Sequence, residues 1–399
     1  MKYYDIRSFG AQDGKLSTVA IQAAIDECEK CGGGTVVIES GTYITGTIFM
    51  KSNVHLRVES GAKLMMSGDI NDFPDFPCEW NVKAAPRYSA RCLIYVGNCE
   101  NVSIGGLGMI DCNGSAFCEE NPEPVFSETD PFLCKRMKRK LDYDNTPGRM
   151  IFVMKSKNIT LSDFTIIEMA GGWGIWVNGC EYVNIRDLKL YCCPDYPNSD
   201  GIHINCSKDV FITDCAVNSG DDALIVRANT NTLEQDIPCE NVIVKGCSLS
   251  SHCQAIRIGW IGDGAIKNCV FSDLVITESR DAVTIELPPG SIAADLGKNT
   301  TRIERLSFNN IIIDDARRYP VKIVISDSEL VRCEYIKNIQ FNNIISRTSY
   351  FPFLMGRKDK YIEDVSFNNC RFDVTEKADA GFMSRFVRNL KTDCSWNIE

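Results

Sequence analysis

The chain of 399 residues is long enough for two ordinary domains or one solenoid, and 44% hydrophobic residues allow a large core. Its net charge of −10 disfavours nucleic acid as a partner and gives no field to gather a polyanion from a distance. No apolar run is long enough to span a membrane as a helix, so no membrane partner is expected. Met1-Lys2-Tyr3-Tyr4-Asp5 lacks the apolar stretch of a secretory signal, which gives a cytoplasmic expectation.

The first predicted element is a helix. Ser17-Thr18 precede the amphipathic stretch Val19-Ala20-Ile21-Gln22-Ala23-Ala24-Ile25 as a cap, and Cys31-Gly32-Gly33-Gly34 ends it. A helix there would cover the open end of a solenoid, so residues 1–60 are read as a cap. From residue 100 onward one short phrase returns: a polar residue, alternating apolar residues, then a turn. Asn101-Val102-Ser103-Ile104, Asn158-Ile159-Thr160-Leu161, Tyr182-Val183-Asn184-Ile185, Asp209-Val210-Phe211-Ile212 and Asn241-Val242-Ile243-Val244 are copies, mostly 22 to 33 residues apart. Residues 111–149, rich in Pro, Glu and Lys, break the repeat and read as an inserted loop over one face. Their basic run, Lys135-Arg136-Met137-Lys138-Arg139-Lys140, reads as a solvated loop or an exposed helix face.

Three late copies are nearly identical: Leu306-Ser307-Phe308-Asn309-Asn310, Ile339-Gln340-Phe341-Asn342-Asn343 and Val365-Ser366-Phe367-Asn368-Asn369. Period-two alternation within each copy predicts strands, and their regular return predicts a solenoid. Propeller blades need longer units, and leucine-rich spacing is absent. The predicted fold is all-β, a right-handed parallel β-helix solenoid with an N-terminal capping helix, forming one unit over residues 1–399. Many of the twenty cysteines share one setting, after a turn residue: Asn98-Cys99, Gly179-Cys180, Asp214-Cys215, Gly246-Cys247, Asn268-Cys269 and Asn369-Cys370. Stacked coils would align them into a buried ladder of reduced thiols. Cys28-x-x-Cys31 has no second pair at zinc-ribbon spacing, and no metal or cofactor is expected.

Two segments carry the chemistry: Asn198-Ser199-Asp200-Gly201-Ile202-His203 and Ser219-Gly220-Asp221-Asp222-Ala223. Asp200 and Asp221 are 21 residues apart, close to one coil, and stacked rungs lie about 4.7–4.9 Å apart. That spacing predicts Asp200, Asp221 and Asp222 on one surface. Three close carboxylates do not all ionise at neutral pH, and a neutral acid beside ionised ones is what glycosidic hydrolysis needs. A lone Asp-Gly phrase is often only an Asx-turn. A trio of such groups without a function would cost stability.

On these residues the chain resembles the polygalacturonase family of glycoside hydrolases, family 28, over nearly its whole length. Phe9-Gly10-Ala11, Gly32-Gly33-Gly34-Thr35-Val36-Val37 and Gly41-Thr42-Tyr43 look like the family's opening, and Gly108-Met109-Ile110-Asp111-Cys112-Asn113-Gly114 like its Gly-x-Ile-Asp-Gly-x-Gly stretch. Asn198-Ser199-Asp200-Gly201 is similar to its Asn-Thr-Asp-Gly, and Gly220-Asp221-Asp222 matches its aspartate pair. The resemblance implies single-step hydrolysis with inversion, Asp221 protonating the leaving oxygen and Asp200 and Asp222 activating water. Inverting carboxylates usually stand about 6.5–9.5 Å apart, further than adjacent rungs suggest.

Two departures set the expectations. The family's Gly-His-Gly histidine supports the acid. Aligning on Ile258-Gly259 puts Cys253 or Gln254 at its position, leaving His252 as either a helper or a surface residue. His203 is a supporting candidate, and Asn198 belongs to the same phrase. The family's Arg-Ile-Lys, which grips a uronate carboxylate, falls on Thr284-Ile285-Glu286, where an anion replaces a cation. Arg257 stands 27 residues before Thr284, with Arg227 a further coil below, so the guanidinium is expected to have moved down one coil. Trp173, Trp176 and Trp260 flank the cleft, Trp260 being favoured for sugar stacking.

The expected partner is therefore a short pectic oligosaccharide or small plant glycoside, uronic or neutral, cleaved from one end. Solenoid flanks leave a homo-oligomer open. The alternatives are a polysaccharide lyase on the same scaffold, which needs a calcium cluster and a basic residue, and a non-catalytic carbohydrate-binding β-helix.

Overall fold

Short strands with every second side chain apolar bury one face only when neighbouring coils stack on them. Val54–Val58, Ala62–Met66 and Val321–Ile325 each alternate buried and partly buried residues in this way. The structure is a computed structural model that describes residues 2–74, 91–126, 134–141, 146–169, 171–233, 235–289, 298–375 and 382–398. The chain winds as a right-handed parallel β-helix. Among the described residues its strands form a 21-stranded sheet, an 11-stranded sheet and a separate two-stranded hairpin.

The core runs as columns along the coil axis. Phe271, Phe308, Phe341 and Phe367 stack face to face at 4.8, 4.8 and 4.7 Å between ring centroids. At a corner beside them, Asn342 donates to Asn309 (2.8 Å) and Asn368 to Asn342 (2.7 Å), so the amides form their own ladder.

Corner cysteines follow one design. The preceding residue is left-handed in each case: Asn98, Gly179, Asp214, Gly246, Asn268 and Asn369 have φ between 51° and 68°. The thiols of Cys99, Cys180, Cys215, Cys247, Cys269 and Cys370 each donate to the carbonyl two residues back, at 3.1–3.5 Å. They thereby occupy corner carbonyls while packing as small apolar groups. These six corner cysteines are all free thiols.

Thr18–Lys30 forms the N-terminal helix, burying Ala20, Ile21, Ala24, Ile25 and Cys28 against the first coils. Ser17 occupies the cap position but makes no cap bond; its hydroxyl donates instead to the Lys15 carbonyl at 3.0 Å. The segment expected as a loop holds a short helix, Gly114–Phe117, and an antiparallel hairpin of Cys118–Phe126 with Cys134–Arg139. All of the basic run but Lys140 therefore lies on a strand, contrary to the loop or helix face expected of it. Residues 127–133 and 142–145 of this insertion lie outside the described residues.

Candidate active site

Six parallel strands of the 11-stranded sheet, with the turns that flank them, carry the candidate residues: Trp173–Asn178, Ile202–Asn205, Leu224–Arg227, Gln254–Ile258, Asp281–Leu287 and Val321–Ile325. Ile202 pairs with Leu224, Leu224 with Ile256, and Gln254 with Asp281. Asp200, Asp222, Gln254 and Asp281 therefore form one column at the entrance to the sheet. The coil from Asp200 is one residue longer than the 21-residue spacing suggests, so Asp222 stacks on Asp200 and Asp221 sits beside them. The Gly201 N–H donates to the Asp222 carbonyl at 2.9 Å.

Two glycines permit this approach. A Cβ on Gly201 would strike the Ala223 carbonyl, and one on Gly220 would strike Ser199 Oγ and the carbonyls of Pro194 and Tyr196. The turn is then fixed by hydroxyls: Ser219 and Ser251 both donate to the Asp221 carbonyl at 2.6 Å.

Asp200 and Asp222 are buried. Burial pushes the Asp200 carboxyl well above the ordinary range, the Asp221 and Asp222 charges add to this, and Arg257 and Arg149 oppose it. Asp200 Oδ1 has no hydrogen-bond partner. Asp222 is raised by burial, with Arg257 pulling it back and Asp221 adding to the rise. It accepts from the Gln254 N–H (3.1 Å) and faces Arg257 Nη1 at 3.5 Å. Carboxyl groups this close, with two of them raised, can both deliver and accept a proton.

Asp221, Asp222 and the Cys253 sulfur bring ligand-type atoms within 4.8 Å of one another. The two carboxylates are thus closer than the usual inverting separation of about 6.5–9.5 Å. Burial, with Asp222 and Asp221 nearby, keeps Cys253 a thiol. Two carboxylates and a thiol beside a guanidinium do not supply the six to eight oxygens that calcium takes.

Gln254, not His252, sits next to Asp222 in the column. Its amide satisfies both ends when the nitrogen faces Asp222 Oδ1 and the oxygen faces Arg280. His252 lies at the preceding turn, half-buried, its N–H on the Ser219 carbonyl (3.1 Å) and its carbonyl accepting from Arg317 (3.5 Å). His203 is buried with its ring 4.2 Å from that of Trp173, and Nδ1 has no hydrogen-bond partner. Burial and the charges of Arg227, Arg149 and Arg257 hold it well below the usual imidazole range, hence neutral. Asn198 accepts from Arg139 Nη2 at 3.0 Å, and Arg139 Nε donates to the Gly171 carbonyl at 3.0 Å. The hairpin is therefore tied to the turn that presents Asp200.

Arg257 and Thr284 are register partners, as the 27-residue spacing predicts. Arg227 leaves that column: Ile225 is the partner of Arg257, and Arg227 follows Asn178 and Asn205 instead. Its guanidinium is committed to buried Asp263, at 2.7 and 2.9 Å. Arg257 Cζ lies 4.0 Å from the ring centre of Trp260, which is half-buried at the rim. Trp173 and Trp176 are buried, each ring packed against Arg149 at 4.5 and 4.4 Å, and pack rather than line an open face. Thr284 is fully buried, its hydroxyl without a partner. Glu286 pairs with Lys322 at 3.0 Å. Burial would raise the Glu286 carboxyl, but Lys322 and Arg257 hold it below the ordinary range.

Lys322, Arg149, Arg280 and Arg139 were not among the residues expected here. Lys322 follows Glu286 by 36 residues, beyond the 22–33 spacing that revealed the other coils. Its only sequence signal is the alternating strand Val321-Lys322-Ile323-Val324-Ile325.

The family model described as Glycosyl hydrolases family 28 matches residues 75–379. A probable polygalacturonase of Vitis vinifera is 25% identical over 290 residues, 69% of this chain and 55% of that protein. The chain thus spans about half the length of that relative. An exopolygalacturonase of Platanus acerifolia is 21% identical over 374 residues, 85% of this chain and 89% of its own. The crystal structure of a hyperthermoactive exopolygalacturonase from Thermotoga maritima matches with a TM-score of 0.77 and 18% identity, covering 99% of this chain and 92% of that one.

Proposed function

The chain belongs to family 28 of the glycosyl hydrolases, and from that we propose that it removes a terminal sugar from short pectic oligosaccharides or plant glycosides with inversion. Asp221 gives its proton to the glycosidic oxygen as the bond to the anomeric carbon breaks. Water attacks that carbon from the opposite face and loses its proton to Asp200 or Asp222. The observation that carries this reading is the column of Asp200 on Asp222 with Asp221 beside it, carboxyl groups near enough for one to give a proton while another takes one. The hairpin tied to Asn198 through Arg139 supports exo-action, because it is fastened beside the turn that presents Asp200. Buried thiols used as hydrogen-bond donors support action in a reducing, intracellular compartment.

The test is product analysis by mass spectrometry in ¹⁸O-water, on uronic and neutral pectic oligosaccharides. Expected is label in a released reducing sugar, and loss of turnover by about 10²–10⁴-fold in Asp221→Asn. The first anomer seen by NMR should be opposite to that of the substrate. An ultraviolet-absorbing unsaturated product without label would favour the lyase. Ligand binding without any turnover would favour the non-catalytic module.

A further inference from the structure

Beyond the aspartates, one register column runs on along the sheet. Arg257 pairs in register with Thr284, and Thr284 with Lys322, so three coils lead away from the Arg257–Asp222 contact. Glu286 lies two residues beyond Thr284 on the same strand and returns to meet Lys322. Resting on the hydrolase reading above, we infer that the Lys322–Glu286 ion pair is the specificity element of this cleft, selecting a neutral sugar through its hydroxyls and rejecting a uronate.

Charge balance separates the two kinds of sugar. Four cations on these strands and turns each stand against a carboxylate of the chain. Arg257 faces Asp222 at 3.5 Å, Arg227 faces Asp263 at 2.7 Å, Arg280 faces Asp281 at 3.4 Å and Lys322 faces Glu286 at 3.0 Å. A uronate entering beside Lys322 would meet a cation that Glu286 already neutralises, with the aspartate trio on the same sheet. In a partly desolvated site that repulsion is costly, and displacing Glu286 from Lys322 would strand a second anion.

A sugar hydroxyl meets the opposite situation. It can accept from the Lys322 ammonium and donate to the Glu286 carboxylate without breaking their pairing, since each has further hydrogen-bonding capacity. The two side chains are 14% and 16% exposed, enough to be reached and dry enough to discriminate. Arg257 contributes to the low Glu286 carboxyl range, which places the pair electrically next to the aspartate trio.

The test uses the full chain carrying Asp221→Asn, so that binding is read without turnover. Dissociation constants are measured by calorimetry for digalacturonate, for its C6-reduced counterpart, and for neutral rhamnosyl, xylosyl and galactosyl glycosides. Expected is at least one neutral ligand bound tenfold or more tighter than digalacturonate. Adding Glu286→Gln should improve digalacturonate about tenfold by freeing Lys322. Lys322→Met should weaken the neutral ligand about tenfold with no gain for digalacturonate. Three results overturn the inference: digalacturonate bound tighter than every neutral ligand, a preference unmoved by Glu286→Gln, or no binding by any of them. Label from ¹⁸O-water with a failed preference removes this inference and leaves the hydrolase. A held preference without label removes the hydrolase and leaves the pair's selectivity.

Discussion

Asp200 is a carboxylic acid buried against two more, and its cost to the fold has a sign that can be worked out. In the unfolded chain carboxylates titrate near 3.9. In the folded chain burial and the neighbouring Asp221 and Asp222 raise Asp200 well above that. Between the two values the native state binds more protons than the unfolded state, so stability falls as pH rises through that window. The penalty grows with pH from near 3.9 until Asp200 ionises in the folded chain. Asp200→Asn should therefore stabilise the protein near pH 7, by about 0.5–2 kcal/mol, and the gain should shrink as pH is lowered toward 4–5. Paired thermal melts of variant and wild type across that range check it, and a loss of stability at pH 7 or a pH-independent difference contradicts it. The aspartates were legible in the sequence because Gly201 and Gly220 announce the close turn. The identity of the stacked pair was not, since one extra residue in the coil exchanges Asp221 for Asp222. Arg227 was misplaced for the same reason: a strand position shifts with coil length, and coil length is decided in turns that carry no periodicity.

At the scale of elements, the insertion shows what a charge run conceals. Pro122-Glu123-Pro124 reads as a strand breaker, yet it lies within Cys118–Phe126, at the register shift between Glu120 and Val125. A two-stranded hairpin has only edges, where proline is tolerated. One guanidinium then fastens it to the cleft, with Arg139 bonded to the Gly171 carbonyl and to Asn198 at 3.0 Å each. If the hairpin is the wall that enforces exo-action, Arg139→Ala should loosen it. The expected outcome is a KM raised several-fold, in line with about 1.5–3 kcal/mol for bonds to a charged donor less what water restores. Products longer than a monosaccharide should appear early on a ladder of oligosaccharides. Chromatography of the first products reads this directly; monosaccharide alone with an unchanged KM would assign the wall elsewhere. The corner cysteines, by contrast, were fully readable, because a left-handed residue followed by a small apolar donor recurs at each turn.

Across the whole molecule each coil touches mainly its neighbours, so stability is a sum of coil terms and interface terms rather than one indivisible quantity. The near-identical late copies made this architecture visible in the sequence, while the long coil between Glu286 and Lys322 hid the residue that meets the cleft. The phenylalanine column offers a test of how far disturbance travels. Phe367 is fully buried and stacks on Phe341 at 4.7 Å, many coils from the aspartates. Phe367→Ala removes a buried ring at the end of that column, with a cost of about 3–5 kcal/mol. In a quasi-one-dimensional solenoid the cost stays local. Hydrogen exchange should accelerate in Ile362–Val374 and Lys391–Ile398, which pair with each other. Leu224–Arg227 and Gln254–Ile258 should keep their protection, and turnover should change by less than about twofold. Uniform loss of protection along the chain would mean that the coils fold as one cooperative block, with the aspartate column dependent on packing at the far end.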